Sequence, residues 1–327
     1  MSRSVFLSAG GDPFIASLVL KLWKDRWYEE VDEVIVSYNN HAGVPQEVTS
    51  EFLSRTNFDK KVSIIYHPRG IGNGRPITEM AMISEANLVL LLEDDGFIYT
   101  PGVVSKQFQQ IESDLTDVVG SPRGSCGQEI WDASQKRYNL DYSGYGDVGP
   151  NFWPNFFFCK RSDLIRTDMN FGSKSFQAGE YSKELDYTFQ GVNHGDTFVW
   201  ACMQLRALGL RFASVPQFHA MPNEIEEYER KDANWRSGKP FWIHGGSLSA
   251  GWGGYLSGRV PDMPTDLNKM EIETRIAFWQ IALDMTIGYD SFRSVYQHGI
   301  DQLTEQGKLE RSRIAKKIHI YRELMGV

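Results

Sequence analysis

The chain has 327 residues, enough for one large domain or two ordinary ones with a substantial core. Its formal net charge of −8 argues against a dedicated nucleic-acid binder, whose affinity comes from neutralising phosphates. Three widely separated cysteines without metal-ligand spacing, and the lack of a signal-like or membrane-length apolar run, predict a cytoplasmic protein without a membrane span.

The first hundred residues alternate buried-type apolar runs with helical stripes. Strands are predicted in "SVFLSAGGD", "DEVIVSYNN", "KVSIIYHP" and "NLVLLLEDD", and helices are predicted to start near Pro13 and Pro76. This succession predicts an α/β fold with a mostly parallel sheet and right-handed crossovers.

Three consecutive acids, Glu93, Asp94 and Asp95, follow the most apolar of these strands. Neighbouring carboxylates raise one another's pKa unless a positive charge joins them. The carboxyl ends of parallel strands form the ligand crevice of open α/β sheets, and oxygen ligands suit Mg²⁺ and Mn²⁺. We therefore expect a cation bound directly by Asp95, with Glu93 or Asp94 positioning a ribose or a metal-bound water. The alternative is a solvated acidic turn.

Beyond Pro101 the pattern loosens. The sequence predicts a strand in "TDVVGSPRG", a long functional loop from about residue 125 to 150, and an aromatic strand entering a helix in "NFWPNFFFCKRSDLI". A helix in "GDTFVWACMQLRALGL", stopped by Gly209, and a strand in "RFASVPQFH" follow. Helical spacing from residue 265 onward predicts a C-terminal helical appendage, so we divide the chain into 1–260 and 261–327.

The stretch "VSIIYHPRGIGNGRPITEMAMISEANLVLLLEDDGFIYTPG" resembles the core of a GT-A glycosyltransferase, in which a basic Gly-rich segment and a helix lead to a strand ending in a DxD-type motif. Glu93-Asp94-Asp95 is the counterpart of that motif, with Glu in place of the first Asp. "GDTFVWACMQLRALGLRFASVPQFH" is similar to the family's "ED" pair and following helix, except that Gly195 replaces the first acid. "IHGGSLS" resembles a His-Gly-Gly-x-Ser segment of some relatives. The likeness covers about the first 250 residues.

The resemblance implies a metal-dependent transfer of sugar from a nucleotide-diphosphate sugar, with a UDP-sugar favoured, to an acceptor hydroxyl. Mn²⁺ or Mg²⁺ would hold the donor diphosphate at Asp95, and His244 or His219 would complete the metal shell or contact the diphosphate. Asp196 would be the catalytic base of an inverting transfer, although an Asp before a helix is also an ordinary N-cap.

Further residues are implied to contact the two substrates. Arg75, with Arg69 as the alternative, would approach the diphosphate or base. Trp252 and Trp153 are the candidates for stacking on the acceptor. The turn after the first strand and the end of the second occupy the donor's nucleobase and ribose positions, which involve Ala9, Gly10, Asp12 and Asn39.

Three alternatives stay open at this point. The acceptor is either a glycan or a hydroxymethylated pyrimidine in DNA, which a basic "RSRIAKK" near the C-terminus would suit. A nucleotidyltransferase on a similar fold is disfavoured because "LSAGGDPF" lacks the Arg and Lys of such enzymes' first loop. A non-catalytic carbohydrate- or nucleic-acid-binding module with a structural cation is the remaining possibility.

Overall fold

The structure is a computed structural model. It describes residues 1–10, 13–40, 46–47, 50, 61–72, 74–98, 100–121, 126–141, 151–215, 218–219 and 242–244.

A seven-stranded sheet forms the centre of the described part. The strands in chain order are β1 (Arg3–Ala9), β2 (Glu33–Asn39), β3 (Lys61–His67), β4 (Leu88–Glu93), β5 (Gly96–Ile98), β6 (Val118–Gly120), β7 (Phe157–Lys160), β8 (Lys174–Phe176), β9 (Tyr181–Ser182), β10 (Tyr187–Thr188), β11 (Asn193–Gly195), β12 (Phe212–Ser214), β13 (Phe218–His219) and β14 (Trp242–His244). The central sheet has the order β12-β6-β7-β4-β1-β2-β3.

Strand β4 lies in the middle of this sheet because every residue from Leu88 to Leu92 is apolar and can be covered on both faces. It pairs in parallel with β1, as expected. Its other neighbour, β7, runs antiparallel to both β4 and β6. The predicted α/β class with a mostly parallel sheet is thus confirmed, with one antiparallel strand that the sequence did not indicate.

Helices cover both faces of the sheet. They are α1 (Pro13–Leu22), α2 (Gly74–Ile83), α3 (Val103–Glu112), α4 (Gln128–Tyr138), α5 (Arg161–Arg166) and α6 (Val199–Ala207), and a π-helical turn (Trp23–Trp27) and a 3₁₀ turn (Tyr28–Glu30) follow α1. Phe157 packs in one core with Met80 of α2 and Leu205 of α6, whereas the ring of Phe158 meets Phe108 of α3 at 5.1 Å. Adjacent residues of a strand point to opposite faces, so both faces are covered.

The expected long loop from 125 to 150 is wrong in its first half. Residues 128–138 form α4, whose Ile130, Ala133 and Ser134 are buried at helical spacing. The helix was missed because its buried positions span only about one turn of the polar stretch "QEIWDASQKRY", which Gly- and Tyr-rich residues follow. Residues 142–150 lie outside the described part.

Within the part of the chain that the structure describes, three smaller sheets accompany the central one. Strands β13, β14 and β5 form a three-stranded sheet, while β8 pairs with β11 and β9 with β10. The predicted strand "RFASVPQFH" is divided between β12 of the central sheet and β13 of the smaller one. The predicted C-terminal helices, and the boundary at residue 260, lie outside the described residues. No helix in the described ranges has the length and apolar character needed to cross a bilayer.

Candidate active site

The candidate donor residues meet at one edge of the central sheet. Strands β1, β2 and β4 are parallel, with Ser8 opposite Glu93 and Ala9 opposite Tyr38. Gly10, the end of β2 and the three acids therefore lie at the same edge. Because β7 is antiparallel, its amino end also lies there, with Phe157 opposite Leu91.

Asp94 fastens the acidic turn to the end of β1. Its Oδ2 accepts a buried 2.9 Å hydrogen bond from the Gly10 N–H, and its own N–H donates to the Ser8 carbonyl at 3.0 Å. The side chain is almost fully buried. A carboxylate that accepts a backbone N–H in a buried setting is held in one orientation, so the end of β1 and the acids form one unit.

Asp95 is buried as well, and Asn155 holds it. The Asn155 Nδ2 donates to Asp95 Oδ1 at 3.2 Å, and its Oδ1 accepts the Glu93 N–H at 3.3 Å. Asn155 itself is fully buried, two residues before β7. Sequence reasoning missed this residue, and the available signal was an amide side chain directly before three phenylalanines in "NFWPNFFF".

The acidic side chains at this edge influence one another electrostatically. Burial, and then the nearby charges of Asp95, Asp94 and Asp196, raise the pKa of Glu93 well above its ordinary value. Asp196 is 101 positions from Asp95 in the chain but acts on the same carboxyl group as the acidic turn. The four carboxylates therefore lie close enough to influence one another, and a positive charge among them would stabilise their ionised forms.

Asp196 lies between β11 and α6, and its carboxylate is held from two sides. The Trp153 indole Nε1–H donates to Oδ2 at 3.2 Å, and the Thr197 N–H donates to Oδ1 at 2.7 Å. The N-cap of α6 is Phe198, which has a left-handed backbone and makes no side-chain capping bond. The ordinary capping role for Asp196 is therefore not what the structure shows.

The loop that leads to Asp196 is fixed by Glu129 of α4. Its carboxylate accepts hydrogen bonds from the Gln190 N–H, the Gly191 N–H, the Tyr187 hydroxyl and the Asn193 amide, at 2.7 to 3.0 Å. These bonds, the Gln190 N–H above all, lower the pKa of Glu129.

Asn39 and Arg75 have protein partners in the structure. The Asn39 Oδ1 accepts the Ile71 N–H at 2.7 Å and its Nδ2 donates to the Gly72 carbonyl at 3.3 Å, so Asn39 shapes the glycine-rich loop. Arg75 is in the first turn of α2 with its side chain 66% exposed, and its Nε pairs with Glu79 at 3.1 Å. Direct contact of either residue with a donor stays a prediction.

Backbone pairing brings the two candidate histidines to the acidic turn. His244 of β14 is opposite Gly96, the residue after Asp95, and His219 of β13 is opposite His244. The side chains of both histidines lie outside the described part of the structure, as do Asp12 and Trp252 entirely. Among the side chains that are described, no group of three His, Cys, Asp or Glu residues has the geometry of a metal site.

Comparison with known proteins gives similarity to solved structures only. No protein-family model and no curated protein sequence matches the chain. The chain is similar to HddC from Yersinia pseudotuberculosis, with 17% identity over 51% of this chain and 80% of that chain and a TM-score of 0.33. It is similar to the mannosyltransferase PcManGT from Pyrobaculum calidifontis, solved with GDP-Man and Mn²⁺, with 9% identity over 99% of this chain and 74% of that chain and a TM-score of 0.45.

Mouse xyloside xylosyltransferase 1 is similar with 11% identity over 76% of this chain and 98% of that chain, at a TM-score of 0.45. All three identities are below 25% and all three TM-scores below 0.5, so these similarities assign no donor, metal or acceptor to the chain.

Proposed function

We propose that the chain is a metal-dependent glycosyltransferase that moves a sugar from a nucleotide-diphosphate sugar to an acceptor hydroxyl. The observation that supports this proposal is the position of Glu93, Asp94 and Asp95 at the carboxyl edge of the central sheet, with Asp196 close enough to act on Glu93; burial first, and then the charges of the three aspartates, raise the pKa of Glu93. Buried like charges are costly unless a cation joins them, and a diphosphate bound there needs that cation too.

The chemistry of these side chains suits a hard divalent cation, although no three of the described ones have the geometry of a metal site. Carboxylate oxygens supply the ligands that Mn²⁺ and Mg²⁺ prefer. Burial raises the pKa of Glu93 most, and the three neighbouring aspartates raise it further, so a cation bound there would favour the ionised form. We assign the metal to Asp95 together with His244 and His219, whose strands pair next to it. When bound, the ion would stabilise the negative charge of the departing diphosphate.

The donor would lie along the carboxyl ends of β1, β2 and β4. We assign its nucleoside and diphosphate to the turn that Asp94 fastens and to the loop that Asn39 shapes, with a UDP-sugar favoured. The full set is Ala9, Gly10, Asp12, Asn39, Arg75, Glu93 and Asp94. Arg75, exposed at the first turn of α2, has the charge and reach for the diphosphate.

Asp196 would act as the base of an inverting transfer. The acceptor hydroxyl gives its proton to the Asp196 carboxylate as its oxygen forms a bond to the anomeric carbon. The bond from that carbon to the diphosphate oxygen breaks, and the electron pair leaves with the diphosphate. Trp252 and Trp153 would line the acceptor side.

The test is a thermal-shift screen of nucleotide-sugars with and without Mn²⁺. A donor present at 100 times its dissociation constant adds about 2.7 kcal/mol to the free energy of unfolding. We expect one nucleotide-sugar to raise the melting temperature only when Mn²⁺ is present. A non-catalytic binding module would give the shift without release of nucleoside diphosphate, and a nucleotidyltransferase would form nucleotide-sugar from nucleoside triphosphate and sugar phosphate.

The acceptor requires its own experiment. A DNA-base acceptor predicts that DNA containing hydroxymethylated pyrimidines shifts in a gel at low salt and is released as salt rises. Failure to shift that DNA at low salt, with transfer to an oligosaccharide, would assign the acceptor to glycans.

A further inference from the structure

The segment from Asn151 to Phe156 connects the two halves of the candidate site. It precedes β7, and the antiparallel direction of β7 brings it to the edge where β4 ends. Trp153 donates a hydrogen bond to Asp196, and Asn155, two residues later, donates one to Asp95. One short segment therefore contacts both the proposed base and the proposed metal ligand.

The orientation of the Asn155 amide is fixed by its partners. A backbone N–H can only donate, so the Asn155 oxygen faces the Glu93 N–H and the Asn155 nitrogen faces Asp95. The side chain is fully buried, so water does not compete for these bonds. Asn155 thus sets the direction of the Asp95 carboxylate relative to the backbone of the acidic turn.

Trp153 sets the second carboxylate. An indole has one N–H and no acceptor, and the Trp153 N–H is directed to Asp196 Oδ2. The Thr197 N–H occupies Oδ1. Two donors on separate segments, one on each oxygen, fix the plane of the Asp196 carboxylate.

The backbone of the segment is itself constrained. Phe156 has φ of 60°, a left-handed conformation that residues with a β-carbon adopt rarely. Its ring is stacked on Trp242 of β14, with centroids 4.8 Å apart and planes at 11°. Such a conformation persists where the surroundings enforce it, so the backbone next to Asn155 is held in place.

We propose that Trp153 and Asn155 are positioning residues, Trp153 for the base Asp196 and Asn155 for the metal ligand Asp95. This proposal rests on the function proposed above. In this proposal the Trp153 N–H binds the Asp196 carboxylate of the protein itself, and Asn155 becomes an additional residue of the site.

The Trp153 half is tested by ¹⁵N spectroscopy of the indole N–H groups of the full chain. Each of the nine tryptophans contributes one indole N–H signal, and the signal lost in Trp153→Phe identifies Trp153. We expect Asp196→Asn to move that signal. The control variant Asp117→Asn, which changes the residue directly before β6, should leave it in place. An unmoved Trp153 signal in Asp196→Asn would overturn the assignment.

Kinetics then separate positioning from stability. Trp153→Phe keeps an aromatic ring but removes the donor, so we expect kcat to fall about tenfold or more while the donor KM stays within about twofold. In the Asp196→Asn background the same change should have no further effect on the residual rate. Unchanged kcat in Trp153→Phe, or additive losses in the double variant, would contradict the proposal.

The Asn155 half is tested by Mn²⁺ titration, read by electron paramagnetic resonance. Removing a partner that orients a metal ligand typically weakens metal binding about 10- to 100-fold, and we expect Asn155→Ala to do so. Asn151→Ala is the matched control, because Asn151 is buried in the same segment but makes no hydrogen bond to any of the carboxylates. Asn155→Ser serves if Asn155→Ala does not fold.

The outcomes distinguish this proposal from the function on which it rests. A wild-type chain that binds Mn²⁺ but transfers no sugar would refute the proposed function, while the indole and Mn²⁺ measurements still decide the positioning roles. A wild-type chain that transfers sugar, with Asn155→Ala and Asn151→Ala binding Mn²⁺ equally, would refute the role of Asn155 alone.

Discussion

Replacing Gly96 with alanine perturbs the contact on which the acidic turn depends. Gly96 follows Asp95 directly, and a β-carbon added there would lie 2.7 Å from the Leu92 Cδ1 and 3.1 Å from the Asn155 Cγ, with the Asn155 Oδ1 closer still. Asn155 is fully buried, so it cannot swing into solvent to make room. The added methyl group must therefore displace the amide that holds Glu93 and Asp95.

The expected cost follows from these contacts. Overpacking of a closely packed interior costs about 1–3 kcal/mol. Loss of the Asn155 bond to the Asp95 carboxylate adds about 1.5–3 kcal/mol if the amide is pushed aside completely. Against this, a Gly to Ala change stabilises by about 0.4–1 kcal/mol through the unfolded chain. We expect a net loss of about 1.5–5.5 kcal/mol in the free energy of unfolding.

Urea unfolding of Gly96→Ala measures this loss, with Gly172→Ala as the control. A β-carbon at Gly172 would meet no atom within 4 Å, so that variant should be neutral or slightly more stable. Gly96→Ala should also bind Mn²⁺ more weakly than the wild type, whereas Gly172→Ala should not. Equal stability and equal Mn²⁺ binding of the two variants would refute the assigned role of the Asn155 contact.

Three further changes test other parts of the structure. Glu93→Gln should raise stability at neutral pH. The folded-state pKa of Glu93 is raised, so the wild type loses stability as pH rises above the ordinary value of 4.5, and urea unfolding at several pH values should show a weaker decline in the variant. Asp117→Asn should lower the free energy of unfolding by about 1 kcal/mol at neutral pH and by progressively less in acid, because hydrogen bonds from Arg211 lower the pKa of Asp117. Equal losses of stability at pH 7 and in strong acid would contradict this. Gly127→Ala should destabilise by about 1–3 kcal/mol, because its β-carbon would overlap Asn193, and a melting curve equal to the wild type would exclude that overlap.

The parts of the fold that a local pattern encodes were predictable. The apolar runs that became β1 to β4 and the placement of Glu93–Asp95 at a strand end follow from composition and order alone, and the structure confirms both. Helix α6 ends as expected before Gly209, whose φ of 78° suits glycine.

The parts that depend on distant partners were not predictable. Nothing in "FFCK" shows that β7 lies antiparallel between β4 and β6, because period-2 burial is the same in either direction. The roles of Asn155 and Trp153 depend on that direction, since it alone brings them to Asp95 and Asp196. The short strands β5, β13 and β14 have two or three residues each, too few for any periodicity.

The most direct test of the central claim compares Asp95→Ala with Asp196→Asn in donor binding and sugar transfer. With Mn²⁺ and the nucleotide-sugar found by thermal shift, isothermal titration gives binding and release of nucleoside diphosphate gives transfer. The account predicts that Asp95→Ala loses Mn²⁺-dependent donor binding, while Asp196→Asn binds donor like the wild type and transfers about 10²–10⁴-fold more slowly. An Asp95→Ala chain that binds and turns over donor normally would contradict it.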